Sequence, residues 1–399
     1  VETKLEILIE AKINNFIFIV LDGLGIGELP DAHLYNDQGS NTLANMATAV
    51  GGLDLPNLRA LGLGNIAAIK GIDPVSFPTA SFGKLKEISK GKDSITGHWE
   101  LSGIFIDYDF SYFPNGFPNA VLERFLKYTN CKGFLGNKPA SGTEIIKELG
   151  DEHVRTGFPI IYTSADSVFQ IAAHEEVIPL RRLYEICKIT RDKVISSPYL
   201  VGRVIARPFL GSKGNYKRTT NRHDYAFDPT DKTVLDVLFE KKITTVGIGK
   251  INDLFNNRGI QIHEPTKSNK EGCAKTLHYA SKVTNSFIFT NLVDFDVYFG
   301  HRNDPVGFAK ALKEFDHFLP SLIAKMDESD VLLLSADHGN DPTTPSTDHS
   351  REYVPILFYK KNKFGKDLGT RETFSDAGKT VAEFFKVKNS LKGKSFLNE

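Results

Sequence analysis

The sequence is poor in cysteine, has no excess charge of either sign, and contains no long apolar run. Its three cysteines, Cys131, Cys187 and Cys273, lie far apart and never in a CxxC spacing. An odd, sparse set argues against a disulfide framework and fits a reducing compartment. Lys+Arg and Asp+Glu both number 49, so no overall field draws the chain to nucleic acid or to a membrane surface. Any anion site must therefore be a local cluster. The longest apolar runs, such as residues 16–21 and 331–334, fall far short of the roughly 20 residues that a bilayer demands. Residues 1–15 carry Glu2, Glu6 and Glu10 and no apolar h-region, so they do not read as a signal peptide. A start at Val rather than Met is compatible with processing or truncation. The expectation is a cytoplasmic protein that binds neither nucleic acid nor membrane.

What is present is enough to build a large core. At 399 residues, with 41% hydrophobic and 25% charged, the chain has the length for two domains and an ordinary globular composition. Four short apolar runs end in polar residues: FIFIVL before Asp22, TTVGIG before Lys250, SFIFTNLV before Asp294 and VLLLSA before Asp337. Each is too short for a helix and rich in β-branched or aromatic residues, so each reads as a buried strand. After the Asp304-Pro305 start signal, Ala309, Leu312, Phe315, Leu319, Leu322, Ile323 and Met326 recur at helical spacing. Strands alternating with helices predict an α/β fold with a mostly parallel sheet, whose ligands gather at the carboxyl ends of its strands.

The middle of the chain differs. From about Tyr108 it is rich in aromatics, Pro, Gly and Asn (DYDFSYFPNGFPN), and residues 212–231 are again irregular and polar. These stretches bracket a segment of domain size. Residues 109–229 are therefore read as a domain inserted into a core formed by 1–108 and 230–399.

The glycines of GLGIG do not make a dinucleotide fingerprint, because Pro30 stands where the third glycine belongs, and GIGK at 247–250 lacks the P-loop spacing. Their expected role is to let the backbone turn sharply past a strand end.

The chemistry concentrates elsewhere. SADHGNDPTTPSTDHSREYVP places Asp337 and His338 after a strand and His349 across a Gly/Pro-rich loop; DFDVYFGHRND places Asp296 five residues before His301; Asp22 ends the first strand. One such Asp is usually a turn or cap residue and one such His an ordinary satisfied group. Three separate strand-end clusters are harder to explain that way. Three carboxylates and three imidazoles without thiolate suit Mn²⁺, Zn²⁺ or Mg²⁺, and six ligands suit a pair of ions. Such a pair clamps the attacking and leaving oxygens of an in-line displacement at phosphorus. The candidate nucleophile is Thr96 in SITGHWE, next to a helix start. From the residues alone, Thr96 reads first as that helix's N-cap.

VLDGLGIGELPDA, DSITGHWE, YTSADSVFQIAAHEE, VGRVIARPF, NLVDFDVYFGHRND and ADHGNDPTTPSTDHSREYVP resemble the bacterial phosphopentomutases of the alkaline phosphatase superfamily, in family order from Val20 to Pro355. The resemblance implies an alkaline-phosphatase-like core with a smaller inserted α/β cap. It implies two Mn²⁺, one held by Asp296, His301 and His349 and the other by Asp22, Asp337 and His338, with Thr96 between them as the phosphorylated residue. It also implies sugar recognition by Asp166 with Ser164 and Val168. Arg203 and Arg218 would bind the distal phosphate, helped by Lys250 and His98, with Arg207 and Arg222 as alternates. A sugar bisphosphate would prime Thr96, and the partners would be small sugar phosphates. Gly23 stands where relatives often carry Ser, and Asn303 where a second Arg is common. A cofactor-independent phosphoglycerate mutase or a phosphatase would share the metal ligands. Thr96 in place of Ser, together with TSADS and VGRVIARPF, favours the pentomutase.

Overall fold

The computed structural model describes residues 14–107, 110–164 and 167–399. The chain divides into two compact units, one formed by residues up to Asp107 with Pro229–Glu399, the other by Tyr108–Asp228.

In the first unit the apolar runs are strands, as their composition dictates: Phe16–Leu21, Thr244–Ile248, Ser286–Leu292 and Val331–Ser335. Every residue of Phe16–Leu21 and Ser286–Leu292 is buried, so helices cover both faces of the sheet. The eight-stranded sheet runs, by first residue, in the order Ile262, Thr244, Ser286, Phe16, Val331, Val354, Ala80, Asp367. Only Val354–Lys360 runs against its neighbours. Seven strands therefore point their carboxyl ends the same way, including Ala80–Leu85, whose loop leads to Thr96.

The helix Pro305–Lys325 starts as its sequence predicts, with Asp304 accepting the Gly307 N–H at 2.8 Å and Pro305 in the first turn. Its buried face is Phe308, Leu312, Phe315, Asp316, Leu319 and Leu322; Ala309 and Ile323 are only half-buried. Asp316 is buried because it accepts the N–H groups of Asn57 (3.3 Å) and Leu58 (2.7 Å), the start of another helix.

The second unit is also α/β. Its six-stranded sheet is mixed, with Val168–His174 parallel to Arg203–Leu210 at its centre. One face packs Phe125, Phe169, Ile171, Val204 and Leu183, and the other packs Ile145, Ile160, Tyr162 and Phe209. Among the described residues no helix is long and apolar enough to cross a membrane.

Candidate active site

Three adjacent strands deliver three carboxylates. Phe16–Leu21 lies between Ser286–Leu292 and Val331–Ser335, and just beyond their carboxyl ends come Asp22, Asp296 and Asp337. Asp296 sits in a tight π-helical turn, Phe295–Phe299, that follows its strand. In a mostly parallel sheet, ligands collect at this carboxyl end of the strands.

The imidazoles converge on these carboxylates. His338 Nε2 lies 3.4 Å from Asp22 Oδ1 and 3.3 Å from Asp337 Oδ2. Asp296 is met by His301 Nε2 at 3.2 Å and His349 Nε2 at 3.5 Å. The far nitrogens are anchored: His338 Nδ1 lies 3.0 Å from the Gly339 carbonyl, and His301 Nδ1 lies 2.6 Å from the Thr347 carbonyl. With a proton on each Nδ1, loss of the Nε2 proton would free that nitrogen to bind a metal ion beside the carboxylates.

Two overlapping trios result, Asp22–Asp337–His338 and Asp296–His338–His349, each with ligand atoms within 4.8 Å of one another. His338 belongs to both, and His301 joins through Asp296. Asp22 Oδ1 and Asp337 Oδ2 are buried, and only imidazole nitrogens face them, without a well-formed hydrogen bond. Buried carboxylate oxygens so poorly bonded are costly unless a cation meets them, so the donor set fits divalent metal ions.

The electrostatics agree. Burial alone would raise the Asp337 carboxyl, but the imidazoles of His338 and His98 bring it down to about 2. Burial also opposes ionisation of Asp296, yet His349 and His301 hold it well below the usual carboxylate range. For His338 burial lowers proton affinity, and Asp337 and Asp22 more than reverse this. The crevice is a place where positive charge is strongly favoured.

Thr96 is buried in the first turn of the helix Ser94–Leu101. The N-cap is Asp93, not Thr96 as the residues alone suggested. Asp93 Oδ1 accepts the N–H groups of Ile95 (3.0 Å) and Thr96 (3.2 Å). Gly97 then lies directly on the Asp337 carbonyl, with no room for a Cβ, and Ser94 Oγ lies 3.1 Å from His338 Nε2. The nucleophile candidate is thus held against one metal trio by a glycine contact. Lys92 ties the preceding loop to the His349 loop, pairing with Asp37 at 3.0 Å and Asp348 at 3.3 Å.

Other expected site residues are placed differently. His98 has no exposed side-chain surface; its Nδ1 lies 3.0 Å from Asp337 Oδ2 and 2.8 Å from the Ser94 carbonyl. It sits beneath a metal-ligand candidate, with no open face for a phosphate, because the helix turns it inward beside Gly97. Lys250 follows Thr244–Ile248 and so leaves the same end of the sheet as the ligands.

In the second unit, Ser164 follows the strand Ile160–Thr163, and Val168 opens the next, buried. Asp166 lies outside the described residues. Arg203 is the register partner of Val168, whereas Arg218 pairs with Phe209. Six strand positions, about 20 Å, separate the two arginines, so the structure does not bring them side by side as expected for one phosphate. Arg203 instead pairs with Asp224 at 3.5 Å. The arginines beside Arg218 are Arg207 and Arg222, which line with it a cavity of about 520 Å³ that also takes in Lys217 and Thr143.

Nearly the whole chain, both units included, is similar to known proteins. A family model described as the metalloenzyme superfamily matches residues 14–389. The phosphopentomutase of Clostridium acetobutylicum is 54% identical over 385 residues, covering 96% of this chain and 98% of the relative. That of Carboxydothermus hydrogenoformans is 56% identical over 384 residues, with 96% and 98% covered. The chain belongs to the phosphopentomutase family. Its α/β class with a mostly parallel sheet is the one expected from sequence. The solved PH0037 protein of Pyrococcus horikoshii shares the fold at a TM-score of 0.50 and 14% identity, over 96% of this chain and 100% of that one.

Several supporting residues of this phosphopentomutase-family chain escaped sequence reasoning. Asn291 Nδ2 donates to Asp22 Oδ2 at 2.9 Å, Asn340 Nδ2 to Asp296 Oδ1 at 2.6 Å, and the Gly23 N–H to Asp337 Oδ1 at 3.1 Å. Each orients one carboxylate and leaves its other oxygen for the crevice. Glu352 is buried under the GLGIG turn, accepting from Gly27 N, Thr42 N and Oγ1, and Ser350 Oγ at 2.6–3.1 Å. Burial raises its carboxyl to about 7 although those donors pull it down. A Cβ on Gly25 would fall on the Glu352 carboxylate, while Gly23 and Gly27 adopt φ of +77° and +105°. That is the physical content of the glycine-rich turn. The only sequence signal for these groups was their nearness to the metal motifs.

Proposed function

We propose that the chain interconverts ribose or deoxyribose 1-phosphate and 5-phosphate through a phosphorylated Thr96 and a sugar 1,5-bisphosphate. The observation that carries this reading is a buried threonine hydroxyl in the first turn of a helix whose next residue, Gly97, rests on Asp337. Membership of the phosphopentomutase family supports the reaction class.

Asp22, Asp337 and His338 would hold one Mn²⁺, and Asp296, His301 and His349 a second, with His338 near enough to serve both. When bound, the metals neutralise charge on the transferring phosphoryl group.

The protein's own groups do the positioning. The Gly97 contact and the Asp93 cap hold Thr96 Oγ1 in one place, which replaces a bimolecular search by a fixed approach. Phospho-Thr96 gives its phosphoryl group to the free hydroxyl of a pentose monophosphate. The bisphosphate then presents its other phosphate, which returns to Thr96 and releases the isomer. A trace of sugar bisphosphate would prime the enzyme. The second unit would recognise the substrate: Asp166 with Ser164 and Val168 would read the sugar, and Arg218 with its neighbours Arg207 and Arg222 would bind the second phosphate, a task suited to planar guanidinium forks. Arg203 and Lys250 are lesser candidates for that phosphate. The chain would do this in the cytoplasm, with small sugar phosphates as its partners.

Phosphorus NMR of manganese-loaded protein given ribose 1-phosphate and a trace of ribose 1,5-bisphosphate tests the proposal. Conversion to ribose 5-phosphate with little inorganic phosphate is expected. Stoichiometric release of inorganic phosphate would make the protein a phosphatase instead.

A further inference from the structure

Among the described residues the Thr96 hydroxyl has one hydrogen-bond partner: it donates to Asp93 Oδ2 at 2.7 Å. The other oxygen of the same carboxylate is engaged by the N–H groups of Ile95 and Thr96. Asp93 is thus fixed by the helix it caps, and its second oxygen points at the atom that reacts. Thr96 is 1% exposed, so water has little access to its proton, whereas Asp93 is only half-buried and can exchange a proton with solvent.

We propose that Asp93 is a further catalytic residue, the proton acceptor and donor for Thr96 Oγ1. The inference rests on the reading of Thr96 as the phosphorylated group. When Thr96 attacks a sugar bisphosphate, the Oγ1–P bond forms and the P–O bond to the sugar breaks. The electron pair leaves on the sugar oxygen, which takes a proton from water, and the Thr96 proton passes to Asp93 Oδ2. In the reverse step a sugar hydroxyl attacks phospho-Thr96 and loses its proton to water, and Oγ1 departs with the proton held by Asp93. The hydrogen bond also distinguishes the two enzyme forms, because the phosphorylated residue has no hydroxyl to donate. Geometry suits the role, since a general base must lie within about 2.6–3.2 Å of the atom it deprotonates.

The test uses the full chain, loaded with manganese and mixed with ribose 1,5-bisphosphate, with phosphate uptake followed by intact mass. Asp93→Asn and Asp93→Ser both preserve a good N-cap, so both should melt close to the wild type. Both are expected to take up phosphate at least about 100-fold more slowly, the lower range for loss of a general base. Formate added to Asp93→Ser should restore part of the rate in proportion to its concentration, which a purely structural role would not produce. A wild-type rate in Asp93→Asn, or full recovery by Ser without formate, would reduce Asp93 to a helix cap. If the variants melt far lower, formate decides: recovery supports the proton role, and its failure overturns it. Thr96→Ala run in parallel separates the two readings. Phosphate uptake by that variant would remove the phosphothreonine, whereas uptake only on Thr96 and equal in Asp93→Asn would remove the role of Asp93 alone.

Discussion

Gly97 packs directly on the carbonyl of Asp337, so the helix that carries Thr96 and the strand end that carries a metal-ligand candidate touch through a missing side chain. Any Cβ at that position must push the two apart. Gly97→Ala should cost about 1–3 kcal/mol of stability, as overpacking of a tight contact does. It should also weaken manganese binding and phosphate transfer together. Denaturant midpoints and a metal titration check this. Unchanged values would mean that the contact relaxes freely.

Thr96 has a simpler test. Thr96→Ala removes the hydroxyl but leaves every carboxylate and imidazole of the two trios in place. Phosphate uptake and mutase turnover should vanish while manganese stoichiometry stays that of the wild type. Substantial residual turnover would exclude Thr96 as the nucleophile.

Arg351 organises the loop before Thr96. Buried at 2% exposure, it pairs with Glu87 at 2.8 Å and donates to the carbonyls of Ser89 (2.8 Å) and Gly91 (2.7 Å). Arg351→Met would leave Glu87 buried without its partner, at a cost of about 3–5 kcal/mol. Adding Glu87→Gln should recover part of that loss. The pair is measured by a double-mutant cycle in urea, and strict additivity would deny the coupling.

Metal binding should release protons. His301 and His338 are raised, the first by its hydrogen bond to Asp296, the second by Asp337 and Asp22 against burial. In metal-free protein a raised histidine stabilises fully below its unfolded value of about 6.5, and that contribution is lost as pH rises through the folded value. Metal ions take over the same charge balance once the protons have left. The difference in melting temperature between manganese-loaded and stripped protein should therefore widen as pH rises above about 6.5. Asp337, depressed to about 2, stays ionised across that window; its contribution, present above the ordinary carboxylate range, is lost only as pH falls through that value. Calorimetry in buffers of different ionisation enthalpy counts the released protons, and an uptake of protons would reverse the assignment.

Asn340 offers a subtler perturbation. Asn340→Ala removes the 2.6 Å donor to Asp296 and the contact on which Gly300 rests. Loss of such a supporting group should weaken manganese affinity about 10–100-fold. A titration showing no change would place Asp296 outside the metal-binding set.

The strand-end carboxylates were legible because a strand buried on both faces is written as an unbroken apolar run, and its end shows as the first charged residue. Asp22 and Asp337 stand out for that reason, and Asp296 lies two residues past Asp294, the first charge after its run. The helix after Asp304 was legible from its cap, its proline and its spacing. Asp93 was not: DSIT offers three capping residues in four positions, and only the backbone angles choose among them. The separation of Arg203 from Arg218 was not legible either, because it depends on an antiparallel register that the motif VGRVIARPF does not record. His98 could not be read as buried while the neighbour of Gly97 was unknown.

Local chemistry and periodicity were therefore enough to single out the candidate metal ligands and the segments that form buried strands, whereas Thr96 as a phosphate carrier came only with the family resemblance. The neighbours of each were decided by the tertiary structure alone. Glu352 under Gly25, Asn340 on Asp296 and Asp337 against Gly97 join positions 327, 44 and 240 residues apart. Such contacts follow from strand order and from the close packing of a glycine, where the absence of a side chain in one segment is matched by a group from another.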